Sequence, residues 1–566
     1  MKRLLFLQLP QPENAVGAAR ENIPLASAYL RLALRRSPEG RFWRAIRHPR
    51  GADAWDDRSL AEWIARAGPD AIAATLYLWN VERTIDLLGR VRKFLPSVRV
   101  VVGGPEVAPE HPFLFRTGAI DAAATGEGEP AFPRILSAFR RGHRPAIAWV
   151  GWRHGERRFR WSRSQAPDEP VGLMLPPPAD PSCGPDAAGV AYLETGRGCA
   201  LKCTFCCYNQ RRRRPVYLCA HEVLRRVAVL IGRGARDIRV IDPTFNANPA
   251  FEEIVRGLAA LNRERKARFF AELRGDTVTR EQARLLARAN FAEIEIGVQS
   301  RDPAVLRAIR RPLRLDALDA GVRFLSRSGI RLTLDVMAGL PGQTGADVRR
   351  SVRWAASVPG ARVQVLHTLL LPGTELREHA RSLGLEAQAL PPYRVQATRH
   401  MAAAELAAAE LEARRITGEV PDVPTQRFVG TDLPDLFAER VAVDVDAWRG
   451  GTVPGREARR AVIMRGDDLF ARRDTVAGIM RRAMGDEPHA LWQFVVSPRG
   501  EEPLDLLEAM TAEIVRSGAH FIDRLVPQPE GARHVARRVF ILLGRGRRYD
   551  ARWIRAAAEY LRGNYW

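Results

Sequence analysis

The sequence predicts an α/β protein in three parts: a doubly wound, Rossmann-like N-terminal domain, a central partial (β/α)6 barrel and a C-terminal α+β domain. Three observations predict this fold class. Strand-like and helix-like runs alternate through the first 145 residues, and they alternate again, around six strands, through residues 189–385. After residue 386 the regular alternation is lost, and strands and helices mix. Regular alternation is typical of parallel sheets that are covered by helices.

The composition is that of a globular protein large enough for three or so domains. The chain has 566 residues, of which 46% are hydrophobic and 27% are charged. No apolar run approaches the ~18 residues of a membrane-spanning helix. The apolar start, Met1–Gln8, is cut short by Pro10 and Pro12, so it predicts a first strand rather than a signal peptide. We therefore expect a cytoplasmic protein with no membrane partner.

The formal net charge of +23 raises the question of nucleic-acid binding. Lysine occurs only at positions 2, 93, 202 and 266, and arginines are scattered over the predicted helices, which favours codon bias as the cause. The run Arg211–Arg214 is the one dense basic patch, and it fits an anionic substrate or a solvated face equally well. Nucleic acid is not the expected partner, although tRNA stays an alternative substrate.

In the N-terminal domain, residues 1–145, the interesting loops follow the strands. We predict strands at Arg3–Gln8, Ala71–Leu78, Val98–Val102 and Ala119–Ala124, with helices at Ile23–Arg36 and Val81–Phe94. Parallel sheets bind ligands at the carboxyl ends of their strands. Here those ends carry Trp79-Asn80, the segment Gly103–Val107 and the segment Gly126–Glu129. Glycine lets a bulky ligand approach the backbone closely, so a ligand is expected at this edge.

Residues 146–188 are predicted to be a linker. The stretch reaches Pro176-Pro177-Pro178 and Pro181, which is typical of an extended spacer over the surface. Aromatic residues earlier in it fit plain packing better than a small hairpin, and they are Trp149, Trp152, Phe159 and Trp161.

The barrel, residues 189–385, opens with three cysteines. Cys199, Cys203 and Cys206 follow the apolar strand Gly189–Leu193 at C-x3-C-x2-C spacing. Thiolate is the ligand of iron–sulfur clusters, and three cysteines leave one iron of a [4Fe–4S] cube open for a chelating small molecule. The alternative is structural zinc, which requires four ligands. No second pair is present, since Cys183 and Cys219 each stand alone in the sequence.

Five more strands complete the predicted barrel: Ile238–Ile241, Ala267–Leu273, Glu293–Val298, Arg331–Ala338 and Arg362–Leu371. Polar or glycine-rich segments follow three of them, namely Asp242–Asn246, Gln299-Ser300 and Gly339–Gly342. In such barrels the chemistry gathers at the carboxyl ends of the strands. The cysteine loop is therefore expected to face these segments.

The tail, residues 386–566, carries no motif that assigns a role. We predict helices at Thr398–Ile416, Leu504–Ser517 and Ala551–Leu561, and strands at Arg460–Met464, Trp492–Val496 and Arg538–Leu543. Its position alone suggests a part in substrate selectivity.

The motifs together resemble a known family. The cysteine loop with Phe205 before its third cysteine, the segment Gly297–Ser300 and the segment Asp335–Gly342 are similar to radical S-adenosylmethionine (SAM) enzymes. Asn22–Leu25, Trp79-Asn80 and the two glycine loops resemble a cobalamin-binding domain. The order of domains is that of B12-binding-domain-containing radical SAM proteins, the cobalamin-dependent radical SAM superfamily.

This resemblance implies the cofactor ligands. Cys199, Cys203 and Cys206 would bind a [4Fe–4S] cluster, with Cys206 preferred to Cys207 because Phe205 precedes it. The residues implied for SAM are Phe205, Glu272, Gln299, Arg311, Asp335 and Met337, with Arg310 competing with Arg311. Those implied for cobalamin are Asn80, Gly103, Gly104, Pro105, Glu106, Val107, Gly126, Glu127, Gly128 and Glu129.

The cobalamin ligand set lacks one familiar part. The Asp-x-His-x-x-Gly motif, which gives cobalt a histidine in other B12 proteins, is absent, and neither His48 nor His111 has that context. The lower face of cobalamin would therefore lack a histidine from the protein. A degenerate domain that binds no cobalamin is the alternative.

The resemblance also implies an activity. The enzyme would cleave SAM to a 5′-deoxyadenosyl radical and, with methylcobalamin, methylate an unactivated carbon of a natural-product or peptide substrate. Alternatives are oxidative ring cyclisation, another radical rearrangement, and tRNA modification or RNA binding. An electron donor such as flavodoxin or ferredoxin is an expected partner. No catalytic acid or base is identified from the sequence.

Overall fold

The computed structural model describes residues 1–10, 24–155, 158–162, 184–208, 214–418, 428–433, 439–525 and 536–565. Several features of the sequence lie outside these ranges: Asn22-Ile23, the proline-rich part of the linker, Cys183 and Arg211–Arg213. Among the described residues, three large sheets carry the fold, and no helix is long and apolar enough to cross a bilayer.

The N-terminal sheet is built from seven strands: β1 (Lys2–Leu7), β2 (Trp43–Ala45), β3 (Ala71–Thr75), β4 (Arg99–Gly103), β5 (Ala122–Ala124), β6 (Val150–Arg153) and β7 (Phe159–Trp161). Their order is β2-β1-β3-β4-β5-β6-β7, and the first five are parallel. Along β1, Leu5 and Leu7 belong to one apolar cluster and Leu4 and Phe6 to another, so both faces are buried. Four helices cover these faces: α1 (Leu25–Arg36), α2 (Asp57–Ala67), α3 (Val81–Phe94) and α4 (Gly128–Arg141).

The predicted linker needs correction at its start. β6 is antiparallel to β5, and β7 is antiparallel to β6, so the sheet continues to Trp161. The Phe115 ring lies 4.6 Å from that of Phe159 and 5.5 Å from that of Trp161, centroid to centroid. These aromatic residues therefore form a hairpin that covers the sheet, because rings packed on a sheet edge bury more surface than a free spacer does.

The central sheet has six parallel strands and short ribbons beside it. The strands of this region are β8 (Val190–Leu193), β9 (Gly196–Arg197), β10 (Val216–Tyr217), β11 (Asp237–Val240), β12 (Arg268–Glu272), β13 (Phe291–Gln299), β14 (Arg331–Ala338), β15 (Arg362–His367), β16 (Glu386–Ala387) and β17 (Val395–Ala397). The order β15-β14-β13-β12-β11-β8 makes the six-stranded partial barrel, whereas β9–β10 and β16–β17 are two-stranded ribbons.

Helices pack around the outside of the barrel: α5 (Ala220–Gly232), α6 (Phe251–Leu261), α7 (Arg280–Arg288), α8 (Pro303–Ala308), α9 (Leu315–Arg327), α10 (Gly345–Ala356), α11 (Glu375–Glu378) and α12 (Ala403–Thr417). Leu406 and Ala413 of α12 share one apolar core with the barrel strands. The barrel layer therefore extends to Thr417, beyond the boundary predicted at residue 385.

The C-terminal domain is α/β, and the prediction of an α+β fold is wrong for this part. Its strands are β18 (Val429–Gly430), β19 (Glu439–Asp444), β20 (Arg459–Arg465), β21 (Leu491–Val496) and β22 (Arg537–Leu542), and its helices are α13 (Arg473–Asp486), α14 (Asp505–Arg516), α15 (Phe521–Leu525) and α16 (Ala551–Tyr565). The strands pair in the order β18-β22-β21-β20-β19, all parallel.

The physical reason is the helical crossover α13, which joins β20 to its parallel neighbour β21. Two glycines, Gly478 and Gly485, lie in α13 and weaken its helical signal in the sequence. Without that helix, no crossover is predicted between β20 and β21, so their parallel pairing is not recognisable.

Candidate functional site

The cysteine loop lies at the carboxyl end of β8, where the parallel strands of the barrel end together. The backbone N–H of Thr204 donates to the carbonyl of Ile309 at 3.1 Å, just after α8. The N–H of Leu376, in α11, donates to the carbonyl of Thr204 at 2.9 Å. Cys203 is buried, and Cys199 and Cys206 are half-buried. The backbone of the loop is thus fixed from both sides while its thiols face inward.

The thiols are set for a polynuclear metal centre rather than for a single ion. A tetrahedral zinc would hold its sulfurs about 3.8 Å apart, given a Zn–S bond of about 2.3 Å. The three sulfurs of Cys199, Cys203 and Cys206 do not all lie within 4.8 Å of one another. A cluster in which each iron takes its own cysteine spans a wider set of ligands. The donor set therefore fits an iron–sulfur cluster.

Burial keeps the thiols protonated when no cation is beside them. It raises the pKa of Cys206 to about 12 and also raises the pKa of Cys203. A thiol must lose its proton to become a metal ligand, and a bound cation supplies the stabilising charge. A raised pKa makes these thiols poor nucleophiles, and it is compatible with groups that lose their protons when a metal binds.

Arg311 is the cation that faces the loop. Its Nη1 lies 3.8 Å from Sγ of Cys203, its Nη2 donates to the carbonyl of Gly297, and its buried Nε has no partner among the described residues. Arg310 points away and pairs with Glu375 at the surface. Of the two competing arginines, Arg311 is the one at the site.

Gly297 makes room for that arginine. A Cβ at this position would lie 2.5 Å from Nε2 of Gln299 and 2.9 Å from Nη2 of Arg311. Distances this short do not occur between non-bonded heavy atoms of this kind, so a side chain here would displace both groups. The glycine is required by two of the residues implied for SAM.

Gln299 and Asp335 each present a buried oxygen to the interior of the barrel. Gln299 ends β13 at a bulge, with φ of 64°, and Asp335 lies on β14 next to it. Oε1 of Gln299 and Oδ1 of Asp335 are buried and have no hydrogen-bond partner in the described ranges. A buried acceptor without a donor costs free energy, so both oxygens fit a ligand that donates hydrogen bonds.

A cluster of carboxyl groups surrounds Arg311 inside the barrel. Burial, with Glu295 and Asp242 nearby, raises the pKa of Glu272 to about 7. Burial and Glu295 likewise raise the pKa of Asp335. Burial also raises the pKa of Asp242 to about 7, against hydrogen bonds from Thr195. A cationic ligand would favour the ionised forms, so the cluster suits a positively charged small molecule.

Glu295 also belongs to this carboxyl cluster, although no sequence motif identified it. It pairs in register with Glu272 on the neighbouring strand β12. The signal was present: along β13, odd-numbered positions from 293 to 299 are polar or glycine, whereas the even-numbered ones are apolar. Alternation with period two places the odd set on one face of a strand.

Phe205 and Met337 lie against the same apolar cluster, with Val305, Ile309 and Leu340. The turn after β14 is held by Gln343, whose Oε1 accepts from Gly339 N–H at 2.9 Å. Its Nε2 donates to the Met337 carbonyl at 2.9 Å. Gln343 was not predicted to be a site residue. Its position, two residues after Pro341 in a turn, could have indicated that its side chain stabilises this turn.

The residues implied for cobalamin divide into groups with different contacts. Asn80 is buried, accepts from Tyr77 N–H at 2.8 Å and donates to the Leu9 carbonyl at 3.0 Å, so its side chain closes the turn after β3. Gly103 ends β4 and Gly104 follows it, with Pro105 exposed and Val107 buried. A Cβ on Gly104, whose φ is 109°, would lie 2.5 Å from the Leu76 carbonyl oxygen.

At Gly126 and Gly128, in the loop after β5, other side chains of the protein occupy the space that a Cβ would fill. A Cβ on Gly126 would overlap the ring of Trp149, and one on Gly128 would lie 2.8 Å from a methyl group of Leu30. Close approach explains both glycines, as the sequence suggests, although here the approaching groups belong to the protein.

Glu106 is engaged at the boundary with the barrel. The hydroxyl of Tyr393 donates to Oε2 of Glu106 at 2.9 Å and lies 3.1 Å from Nε2 of His111. All three side chains are buried. Nε2 of His48 lies 2.5 Å from the Phe6 carbonyl oxygen. Both histidines considered as cobalt ligands thus contact protein groups.

Glu127 and Glu129 contact the cysteine loop through Arg197. Oε1 of Glu129 lies 2.7 Å from Nη2 of Arg197, and Oε2 of Glu127 lies 3.5 Å from Nη1. Glu194 adds a third contact, 2.7 Å from Nε, and the ring of Tyr29 lies under the guanidinium at 4.7 Å. Burial opposes the charge, yet Glu129 and Glu194 raise the pKa of Arg197 well above its usual range.

Arg197 was not predicted as a site residue. Its signal was a charged residue between two glycines, two positions before the first cysteine.

Of the aromatic pair Tyr77 and Trp79, only Trp79 was identified from the sequence. Their rings stack at 4.5 Å at the carboxyl end of β3, and Leu78 between them packs against the barrel core. This loop therefore reaches from the N-terminal sheet to the barrel.

Comparisons with known proteins agree with this arrangement. The Radical SAM superfamily profile matches residues 193–355, and the B12 binding domain profile matches residues 42–136. The first range contains the cysteine loop and the segments Gly297–Ser300 and Asp335–Gly342. The second contains the loops that follow β3, β4 and β5. Both parts of the predicted family resemblance are confirmed.

Curated relatives cover parts of the chain. The cobalamin-dependent radical SAM methyltransferase TokK of Streptomyces tokunonensis is 28% identical over 316 residues, which are 50% of this chain and 44% of TokK. The 2-(S-pantetheinyl)-carbapenam-3-carboxylate methyltransferase of Streptantibioticus cattleyicolor is 30% identical over 203 residues, 34% of this chain and 30% of that protein. The chain spans less than half the length of these two relatives.

Solved structures share the fold. The radical SAM methyltransferase TsrM of Kitasatospora setae superposes with a TM-score of 0.53 at 17% identity, covering 69% of this chain and 79% of TsrM. The cobalamin-dependent SAM radical enzyme OxsB superposes with a TM-score of 0.55 at 14% identity, covering 72% of this chain and 66% of OxsB. The predicted Rossmann-like domain followed by a partial barrel is confirmed.

Proposed function

The chain is a radical SAM protein with an N-terminal B12-binding domain, and from this premise we propose that it methylates an unactivated carbon of a natural-product or peptide substrate. The observation that carries the proposal is the ion-pair set around Arg197, which fastens the cysteine loop to the strand ends of the B12-binding domain. These ion pairs fix the two regions that would hold the cofactors relative to each other. A fixed arrangement favours the transfer of a group between them.

When bound, the [4Fe–4S] cluster, SAM and cobalamin supply an electron, a carbon-centred radical and a methyl group. Cys199, Cys203 and Cys206 would hold the cluster, with Cys203 buried and the other two half-buried. Arg311 lies against Cys203 and adds positive charge beside thiolates that would otherwise repel one another.

The SAM pocket is formed by the carboxyl ends of β12, β13 and β14. The unpartnered oxygens of Gln299 and Asp335 accept hydrogen bonds from ammonium or hydroxyl groups of SAM. Glu272 contributes a further carboxylate, and the free Nε of Arg311 is available to a carboxylate of the ligand. Phe205 and Met337 offer an apolar surface to the adenine ring.

The cobalamin site is formed by the loops that follow β3, β4 and β5. Gly103, Gly104, Pro105 and Val107 line one of these loops, while Asn80, Glu106, Gly126, Glu127, Gly128 and Glu129 hold the loops in place through the contacts described above. The stacked pair of Tyr77 and Trp79 supplies a flat apolar face to a planar macrocycle. No histidine is assigned to cobalt.

The partners follow from the chemistry. A low-potential donor such as flavodoxin or ferredoxin has to reduce the cluster, and the oxygen sensitivity of such clusters favours the cytoplasm. Ring cyclisation, radical rearrangement and tRNA modification are not favoured by any residue in the described ranges. The C-terminal sheet is the remaining candidate for substrate selectivity.

The test is anaerobic reconstitution followed by product analysis with SAM that carries a deuterated methyl group. We expect corrinoid absorbance, iron in the protein, and a methyl group that appears on carbon of candidate natural products or peptides. Cys203→Ala should abolish iron and methyl transfer, whereas Cys219→Ala, an exposed cysteine outside the loop, should retain both. Formation of 5′-deoxyadenosine without any methylated product, in protein that holds corrinoid, would contradict methyl transfer.

A further inference from the structure

A second group of ligand-type side chains lies between the N-terminal and C-terminal sheets. Asp57 opens α2, Asp86 lies on α3, and His489 lies just before β21. One ligand atom from each lies within 4.8 Å of the other two. Among the described residues, no other trio of histidine, cysteine, aspartate or glutamate side chains meets this condition.

The backbone around the trio is fixed by contacts between the two sheets. Asp56 N–H donates to the Arg456 carbonyl at 2.7 Å, and Ala458 N–H donates to the Ala54 carbonyl at 2.7 Å. Asp57 N–H donates to Oε2 of Glu487 at 3.1 Å. The three side chains are therefore held together by the fold and do not meet by chance at a mobile surface.

One carboxylate oxygen of the trio is buried without a hydrogen-bond partner in the described part of the chain. Asp57 is 1% exposed, and although its Oδ1 accepts from Arg83 Nε at 2.7 Å, its Oδ2 accepts nothing. Nε2 of His489 lies 3.8 Å from Oδ2 of Asp86, so this ring nitrogen faces the carboxylates. A buried carboxylate oxygen without a donor is costly, and a cation bound to it would remove that cost.

Two arginines beside the trio bind its carboxylates. Arg83 binds the other oxygen of Asp57, and Arg90 Nε binds Oδ2 of Asp86 at 2.8 Å while its Nη1 binds Glu487 at 3.0 Å. Three carboxylates thus face two guanidinium groups and retain one formal negative charge. For Asp57 the arginine binds the oxygen opposite the unpartnered one, as groups that orient metal-ligating carboxylates do.

We propose that Asp57, Asp86 and His489 bind a zinc-type divalent ion that clamps the C-terminal sheet onto the B12-binding domain. Imidazole nitrogen with two carboxylate oxygens is a ligand set that zinc accepts, with water as the fourth ligand, whereas magnesium and calcium prefer oxygen alone. Two ligands come from helices of one sheet and the third precedes a strand of the other, so the ion stabilises their contact. The site is separate from the cysteine loop and does not depend on the proposed methyl transfer.

The test is zinc content and thermal unfolding of the full chain. To remove the thiols that also bind zinc, Cys199, Cys203 and Cys206 are all replaced by alanine in every protein compared. After incubation with zinc chloride and desalting, we expect about one zinc per chain, and a melting temperature raised by several degrees and lowered again by EDTA.

The matched variants decide the assignment. His489→Gln and Asp86→Asn should lose the zinc and the thermal shift while keeping the elution volume and circular dichroism of the parent. His379→Gln, an exposed histidine on the barrel, should keep both effects. Zinc binding that is unchanged in His489→Gln, or no retained metal and no thermal shift with zinc, cobalt, nickel or manganese, would overturn the proposal.

Discussion

Oε1 of Glu129 lies 2.7 Å from Nη2 of Arg197, and this ion pair joins the B12-binding domain to the loop that carries the cysteines. Glu129 is buried at the start of α4, and Arg197 lies two residues before Cys199. A displacement of one domain relative to the other would separate buried opposite charges, which is costly in a site of low dielectric constant. The pair therefore keeps the two cofactor sites in a fixed relation.

Replacement of Arg197 by methionine tests this relation. It leaves Glu127, Glu129 and Glu194 without their cation, and breaking a buried pair costs about 3–5 kcal/mol. We expect a lower free energy of unfolding in chemical denaturation and weaker retention of iron. The control is Arg310→Met, which removes a surface pair with Glu375 and should cost about 1 kcal/mol or less. Equal losses in both variants would show that the Arg197 pair has no special role.

Replacement of Gly297 by alanine tests the SAM pocket without touching a proposed ligand. The new Cβ would displace Gln299 and Arg311, so we expect the affinity for SAM to fall about tenfold or more, which is about 1.4 kcal/mol. Calorimetric titration with SAM measures the change. Gly232→Ala, at the end of α5, meets nothing within 4 Å and should bind SAM as the parent does. Unchanged affinity in Gly297→Ala would place SAM elsewhere.

Asp242 gives a prediction about pH. Burial raises the pKa of Asp242 to about 7 in the folded chain, whereas the unfolded carboxyl titrates near about 3.9. The protonated form is favoured by folding, so this stabilisation is present in full below about pH 4 and is lost as the pH rises through about 7. Asp242→Asn does not titrate. Its melting temperature relative to the parent should therefore rise between about pH 5 and about pH 8.

Asp474→Asn removes an exposed carboxyl on α13 and is the matched control for the loss of one charge, so the pH dependence of Asp242→Asn is measured relative to it. A difference between Asp242→Asn and the parent that is constant over this range would mean that Asp242 is ionised at low pH in the folded protein.

Tyr393→Phe separates two roles of Glu106. The hydroxyl of Tyr393 donates to Glu106, so its loss leaves a buried carboxylate short of a donor and should cost about 1–3 kcal/mol of stability. If Glu106 only holds the two domains together, corrinoid retained per folded chain should stay at the parental level. Loss of corrinoid with little change in the melting temperature would instead assign Glu106 to the cofactor.

Much of the architecture was accessible from the sequence because it follows from local patterns. Strand β13 alternates polar and apolar residues and β14 is mostly buried, and both end in polar or glycine-rich motifs, while the three cysteines lie close together in one loop. The doubly wound sheet and the partial barrel were predicted from the same alternation. The parallel C-terminal sheet was not, since α13 contains two glycines and its helical pattern is weak.

The partners of charged residues were less accessible. Glu129 and Arg197 are far apart in the chain, and the sequence around either residue does not identify the other as its partner. The choice between Arg310 and Arg311 depends on which side chain turns inward after α8, and that is set by packing. Likewise, the trio of Asp57, Asp86 and His489 exists only because two domains meet.

The proposed function requires that the cysteine loop binds a cluster with an open iron and that SAM binds beside it. Electron paramagnetic resonance of the dithionite-reduced protein, recorded with and without SAM, measures both. We expect a [4Fe–4S] signal whose g values change when SAM is added, with the change weakened in Asp335→Asn and the signal absent in Cys203→Ala. A signal that SAM does not alter, or a loop that holds zinc in place of iron, would contradict the claim.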